Sequence, residues 1–333
     1  MTRFPLLATF GRLLVAASSL VAFATAQAQA QAPAWPDKPV RLIVPAPAGG
    51  GTADPIARVL ADELSKSLGQ KVWVENIGGA NGNIGAGTAA RATADGYTLL
   101  FSWAGTLATN PSLYRNLPYD ARRDLTPIVL VGNVPNILVV NSSVPVKSLA
   151  EFGEYVKANP GKLNYASSGQ GSSMHLAAEL YRMRTGAQMV HVPYNGVARA
   201  INDMIANQVQ LMFQLVPGIA QHVKSGSVRA LAVMSDHRSE ALPDVPTFAE
   251  AGMTGMETGT WFGILAPRGT PPEVLARVNT EVNKLLADPA LRARLIGMGL
   301  EPLGGTAAQF GDFWDKELKR WAEIVKFAGT RLD

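Results

Sequence analysis

Two hydrophobic rhythms alternate along this chain. Short apolar runs, the mark of buried strands, give way to segments whose apolar positions recur every three or four residues, the period of a helix. Runs at 40–44, 72–75 and 98–102 alternate with helical segments at 55–68 and 84–91 and a short turn at 111–114. Two strong apolar runs follow at 128–131 and 137–140, parted by Gly132-Asn133-Val134-Pro135. The alternation then restarts: helix 149–158 with Ser148 as its cap, strand 163–166, helix 174–184 and strand 189–192. Helix 197–207, strand 209–213, helix 219–225 and strand 230–234 complete that series. A strand-like run at 261–266 precedes helix 271–287, with Thr270 as cap and Pro272 in its first turn. The last helix carries a stripe of Phe310, Phe313, Trp314, Leu318, Trp321, Ile324 and Val325, read as a face packed on the first lobe.

Strand–helix–strand alternation predicts an α/β fold, a parallel sheet covered by helices on both faces. A chain of this length exceeds one comfortable core, so two lobes are expected. Residues 35–136 and 261–333 read as the first lobe and 137–260 as the second, with crossings near 135–141 and 257–263. Two crossing segments make a hinge. Open α/β sheets bind ligands at the carboxyl ends of their strands, here in the cleft between lobes.

The N-terminus changes the picture of where the chain works. Arg3 and Arg12 precede and open an apolar stretch at 13–26, followed by the small-residue tract Ala26-Gln27-Ala28-Gln29-Ala30-Gln31-Ala32. This pattern reads as a secretory signal peptide over 1–32, cut between Ala26 and Ala32. The apolar run is shorter than the ~20 residues of a membrane span. There is no cysteine, hence no disulfide framework and no lipid-accepting thiol. The expectation is a free periplasmic protein and a monomer. Loss of Arg3 and Arg12 lowers the formal net charge from +4 to +2, and the remaining basic residues are scattered, which argues against a nucleic-acid partner.

Two glycine- and serine-rich loops carry the candidate chemistry. Ala48-Gly49-Gly50-Gly51-Thr52-Ala53-Asp54 opens the first long helix, and Ser167-Ser168-Gly169-Gln170-Gly171-Ser172-Ser173 opens helix 174–184. A helix N-terminus presents free N–H groups and partial positive charge, so each loop is a ready anion site. Gly49, Gly50 and Gly51 permit close backbone approach, and Asp54 reads as the cap that closes the loop. Ser167, Ser168, Ser172 and Ser173 add hydroxyls that hold a carboxylate without an arginine, or serve only as caps. His175, one turn into the helix, is either a ligand contact or a packed histidine; His191 reads as structural. Tyr194 offers a hydroxyl or a wall. Trp103 and Trp261 lie near the expected cleft, as aromatic walls suited to a planar acid or as packing between lobes.

Other chemistries lack their residues. The four histidines, His175, His191, His222 and His237, show no metal-ligand spacing. Gly78-Gly79-Ala80-Asn81-Gly82-Asn83-Ile84-Gly85 misses the dinucleotide pattern and reads as a cleft rim, with Asn83 a candidate contact. No G-x-S-x-G or phosphate-binding loop occurs. No cofactor and no enzyme are expected.

The string Trp35-Pro36-Asp37-Lys38-Pro39-Val40-Arg41-Leu42-Ile43-Val44-Pro45, followed by Gly49-Gly50-Gly51-Thr52-Ala53-Asp54, resembles the start of the Bug family. These are the periplasmic solute-binding proteins of tripartite tricarboxylate transporters. The resemblance continues through Asp95-Gly96-Tyr97-Thr98, Asn110-Pro111-Ser112-Leu113-Tyr114, Tyr165-Ala166-Ser167-Ser168-Gly169, Val192-Pro193-Tyr194-Asn195-Gly196 and Leu242-Pro243-Asp244-Val245-Pro246-Thr247. It implies a type II periplasmic-binding fold of two Rossmann-like lobes. It implies a carboxylate ligand (dicarboxylate, tricarboxylate, acidic amino acid or aromatic acid) gripped at 48–54 and 167–172, where Gly171 completes the second loop. It also implies membrane transporter subunits as partners. The third loop, Ser102-Trp103-Ala104-Gly105-Thr106, departs from the family at Trp103, bulkier than the small residue expected there; with Thr106 beside it, this favours a ligand with a flat apolar body. An alternative is a sensory module that presents the closed form to a receptor kinase.

Overall fold

The computed structural model describes residues 35–49 and 52–332. The expected signal peptide over 1–32, and Gly50 and Gly51 of the first loop, lie outside the described residues. A cis peptide bond joins Trp35 to Pro36, and one compact unit begins at Lys38.

Strand β1 (Val40–Val44) is buried at every apolar position and half-buried only at Arg41. Helix α1 (Ala53–Leu68) carries the chain to β2 (Val72–Asn76), and α2 (Asn83–Ala90) carries it to β3 (Thr98–Trp103). These strands lie in the order β2-β1-β3 and are parallel, the expected crossover units. Two short helices, α3 (Asn110–Leu113) and α4 (Ala121–Asp124), lead into β4 (Leu125–Asn141).

Strand β4 organises the sheet. The sequence reading breaks it at Gly132-Asn133-Val134-Pro135, but the 17 residues form one strand. Its register shifts between Pro127 and Val129 and between Leu130 and Gly132, and such bulges absorb residues that punctuate most strands. Residues 125–135 pair antiparallel with β9 (Gly259–Pro267), which also pairs antiparallel with β3. Beyond Asn136 the strand pairs with β7 (Leu211–Leu215) on one side and β8 (Val228–Val233) on the other. The chain reaches these through α5 (Leu149–Ala158), β5 (Asn164–Ser167), α6 (Ser173–Thr185), β6 (Val190–Pro193), α7 (Val197–Ile205) and α8 (Val216–Lys224). Strands β6-β5-β7 are parallel. The sheet is therefore mixed, which corrects the all-parallel expectation. Between the two sets of pairings, Asn136 N–H donates to Thr258 O at 2.9 Å and Met234 N–H donates to Asn136 O at 2.7 Å.

The C-terminal segment adds α9 (Pro272–Ala287), α10 (Pro289–Gly297), the short β10 (Glu301–Pro302) paired with β4, and α11 (Ala307–Ala328). Thr270 does not cap α9. Its hydroxyl donates to Pro267 O at 2.8 Å, and Pro271 occupies the cap position. Ser148 does cap α5, accepting the Glu151 N–H. Helix α11 starts at a capping box of Thr306 and Gln309. Phe310, Trp314, Trp321, Ile324 and Val325 of its stripe are buried, and Phe313 and Leu318 pack against them. The helix lies on β4 and also on α6 and α3.

Candidate ligand-binding site

The first loop is held by a carboxylate. Helix α1 starts at Ala53, with Thr52 in the cap position but making no side-chain cap bond. Asp54 is therefore not the cap; it lies in the first turn, 2% exposed. Its Oδ2 accepts from Gly49 N–H at 2.7 Å and Arg58 Nε at 3.0 Å, and its Oδ1 accepts from Asn76 Nδ2 at 2.8 Å. Burial pushes its pKa upward, but the bonds from Arg58, Asn76 and Gly49 outweigh that and leave it below the usual carboxylate range. Ala48 and Gly49 are exposed, Thr52 is half-buried, and Gly50 is outside the described residues.

The third loop is braced from behind. Thr106 is fully buried and its hydroxyl donates to Asn81 O at 3.2 Å. Tyr119 donates its hydroxyl to Thr106 O at 2.7 Å. Asn83 is also buried; its Oδ1 accepts from Asn110 Nδ2 at 2.6 Å. Asn81 donates to Asn110 Oδ1 at 2.8 Å, so three asparagines tie the Gly-rich rim to α3. Trp103 closes β3 half-buried, its indole beside Gly105, where a Cβ would come within 2.9 Å of Nε1.

The second loop meets the third. Ser172 caps α6, accepting the His175 N–H and donating to Gly169 O at 2.8 Å. Gly171 has φ +75°, and a Cβ there would lie 2.6 Å from Leu113 Cδ1 of α3. Glycine is needed on both counts, for the left-handed backbone and for the close approach. Ser167 is fully buried under the loop and Ser168 is half-buried on it. His175 is 4% exposed, with Nδ1 accepting the Gly171 N–H at 3.1 Å. Tyr194 is half-buried one strand away; its N–H donates to Ser167 O at 2.9 Å and its hydroxyl bonds Asp203. Burial raises that phenol above its ordinary value, and Asp203 adds to the effect.

Between these loops lies a cavity of about 170 Å³. Trp103, Gly105 and Asn81 form one wall, and Gly171, Ser172 and Ser173 face them. Thr260 and Trp321 close the far side. The described residues that line it include no charged side chain, only hydroxyls, a carboxamide, backbone and two indoles. The structure thus brings together Trp103, Gly171 and Ser172 of the expected site. Thr106 and Asn83 sit behind the wall, and Ser167 and His175 beneath the second loop. Among the described residues of the first loop, Ala48, Gly49, Thr52 and Asp54 are not part of this lining. Larger grooves, such as one of about 440 Å³ between α3 and α11, involve none of the expected site residues.

Sequence reasoning found the Ser173 hydroxyl but missed Asn81, Thr260 and Trp321. It left Trp261 open between an aromatic wall and packing, and packing is what the structure shows, since neighbours on a strand face opposite ways. Trp261 is buried, with Nε1 donating to Glu317 Oε2 at 3.0 Å, while Thr260 reaches the cavity. Trp321 belongs to the α11 stripe and was legible only as packing.

The family model described as "Tripartite tricarboxylate transporter family receptor" matches residues 56–330. Protein BugT of Bordetella pertussis is 38% identical over 322 residues, covering 96% of this chain and 98% of its own. A structure of an R. palustris protein with adipate is 38% identical, covers 90% of this chain and 100% of its own, and superposes with a TM-score of 0.76. MatC from Rhodopseudomonas palustris with bound malate is 32% identical, covers 87% and 100%, and gives 0.71. Among the described residues no helix is long and apolar enough to cross a membrane. The chain belongs to the receptor family of tripartite tricarboxylate transporters, the Bug-type periplasmic solute-binding proteins that its motifs resemble, and these are binding proteins, not enzymes.

Proposed function

We propose that this protein captures a small carboxylate in the cavity between Trp103 and Ser172 and delivers it to the membrane subunits of a tripartite tricarboxylate-type transporter. In this reading residues 1–32 are removed on export. Residues 35–136 with 261–333, and residues 137–260, are two lobes that close on the ligand. The observation that carries the reading is the lining itself. A volume of about 170 Å³ is below the roughly 300–1,000 Å³ of drug-sized sites, so a small molecule fits. Its donors are neutral hydroxyl, carboxamide and backbone groups next to the N-terminus of α6, which suit a carboxylate. Relatives solved with adipate and with malate support the same ligand class. Closure needs only that the ligand bind the closed form more tightly than the open one.

The test is a titration of the purified protein, unfolded and refolded to strip any carried-over ligand. Adipate, malate, citrate, glutamate, nicotinate and benzoate form the panel, and tryptophan fluorescence is the readout because two indoles line the cavity. Saturable binding of one or more acids is expected, with a matching rise in melting temperature of the bound protein. Absence of binding to every acid in the panel overturns the proposal.

A further inference from the structure

The loop that opens α6 stands on two stacked imidazoles. His175 of α6 and His191 of β6 lie face to face, their centroids 4.1 Å apart and their planes 24° from parallel. Each holds a different end of the loop. His191 Nε2 is 2.6 Å from Ser167 Oγ, and that oxygen is 3.1 Å from both the N and the O of Gly169. His175 Nδ1 accepts the N–H of Gly171, the residue seated against Leu113 at the cavity.

Accepting that bond fixes the chemical state of His175. Nδ1 must carry a lone pair, so the proton of the neutral ring sits on Nε2, which is 3.9 Å from Glu179 Oε1. The groups facing the ring are Glu179 and Arg182 from α6, Tyr165 from β5 and His191 from β6. Glu179 is already engaged. Arg182 Nη1 lies 2.6 Å from its Oε1, and the Tyr165 hydroxyl donates to the same oxygen. Burial lowers the pKa of His175; Glu179 opposes this shift and Arg182 adds to it.

We propose that His175 is a positioning residue for the ligand loop: its neutral imidazole holds the Gly171 N–H, and protonation of the ring releases Gly171 and weakens ligand capture. An imidazolium turns an N–H toward the Gly171 N–H, and two donors cannot bond. Burial and the nearby Arg182 make a charge on His175 costly, so the loop is held firmly above the titration and let go below it. The effect on capture rests on the cavity being the ligand site; the effect on the loop does not.

The experiment therefore has a ligand-free arm. NMR of the full chain labelled with ¹⁵N histidine and glycine follows the His175 ring and the Gly171 amide from pH 8 to pH 4. The expected result is an Nε2–H tautomer at pH 8 and a Gly171 shift that titrates with the His175 midpoint. His175→Asn places a carboxamide oxygen near the Nδ1 position, so it is expected to keep the Gly171 bond and lose the pH response. In the second arm adipate is the probe, titrated into both proteins at each pH. Ionisation of adipate is common to both and cancels in the ratio. Wild-type affinity relative to the variant is expected to fall on acidification, toward a limit of about tenfold per pH unit below the midpoint. An Nδ1–H tautomer, or a Gly171 amide indifferent to the His175 titration, overturns the proposal. If adipate binds neither protein, adipate is not the ligand, the remaining acids of the panel decide the ligand assignment, and the amide arm alone decides the positioning role.

Discussion

Trp103 and Trp321 face one cavity with different means. The Trp321 indole N–H is committed to Glu317 Oε2 at 2.8 Å, so this residue offers the cavity only its ring. The Trp103 indole has no hydrogen-bond partner among the described residues and rests beside Gly105. It can give a ligand both a flat wall and a donor. Trp103→Phe removes the donor and keeps most of the wall, and Trp103→Ala removes both. If the indole binds a carboxylate, the Phe variant should lose about 1.5–3 kcal/mol of affinity, the worth of a hydrogen bond to a charged group. The Ala variant should lose preference for planar acids such as benzoate over adipate. Isothermal titration of both variants with both acids separates the two roles; equal losses for every acid and variant would count against them. Asp54 acts at one remove. Asp54→Asn weakens the bonds from Gly49 and Arg58, and at a buried site this should cost roughly 1–3 kcal/mol of stability. Chemical denaturation measures the cost, and an unchanged midpoint would mean the loop does not depend on that charge.

Among the elements, α11 shows most clearly what the sequence reveals and what it hides. Its stripe was legible as a helical period, and its start was written in the Thr306–Gln309 capping box. Its interior partner was not legible. Glu317 lies 7% exposed and takes the indole N–H groups of both Trp261 and Trp321 on Oε2, at 3.0 and 2.8 Å. Nothing in a one-dimensional pattern marks a carboxylate that two tryptophans from distant elements will share. Glu317→Ala leaves both indoles buried without an acceptor, at about 1–3 kcal/mol each. Glu317→Gln keeps an acceptor oxygen and should recover most of the loss. Melting temperatures of the two variants test this; a Gln variant as unstable as the Ala variant would show that the charge, not the acceptor, matters. The same limit explains the sheet. Apolar runs reveal strands but not their direction, so β9 and β4 read as further parallel strands when they return antiparallel. Gly132 and Pro135 read as a break because such residues usually punctuate, whereas here Gly132 ends a register shift and Pro135 pairs with Gly259 within one strand.

At the scale of the whole molecule, the pH profile of stability follows from groups on opposite sides of the chain. His191 is lowered to about 4, first by burial, then by the neighbouring charge of His175 and by Arg182. His175 is lowered as well. For both, the unfolded chain binds the proton more readily than the folded one. Their contribution is complete above the ordinary histidine value and is lost as the pH falls from about 6.5 toward 4. Glu301, on β10, pulls the other way. Burial raises it to about 6, although the nearby His237 works against the rise. The folded chain holds that proton more tightly, so its contribution is complete below the ordinary glutamate value and is lost as the pH rises through 6. The windows overlap, but the histidines span more of the scale and are two against one. Net stability should therefore rise from pH 4.5 to 6.5. Glu301→Gln should remove the opposing slope and steepen the profile below pH 6, while His191→Asn should flatten it. Urea midpoints at half-unit intervals measure all three curves. A wild-type profile that falls with pH over this range would show that Glu301, not the stacked pair under the ligand loop, governs how this fold meets acid.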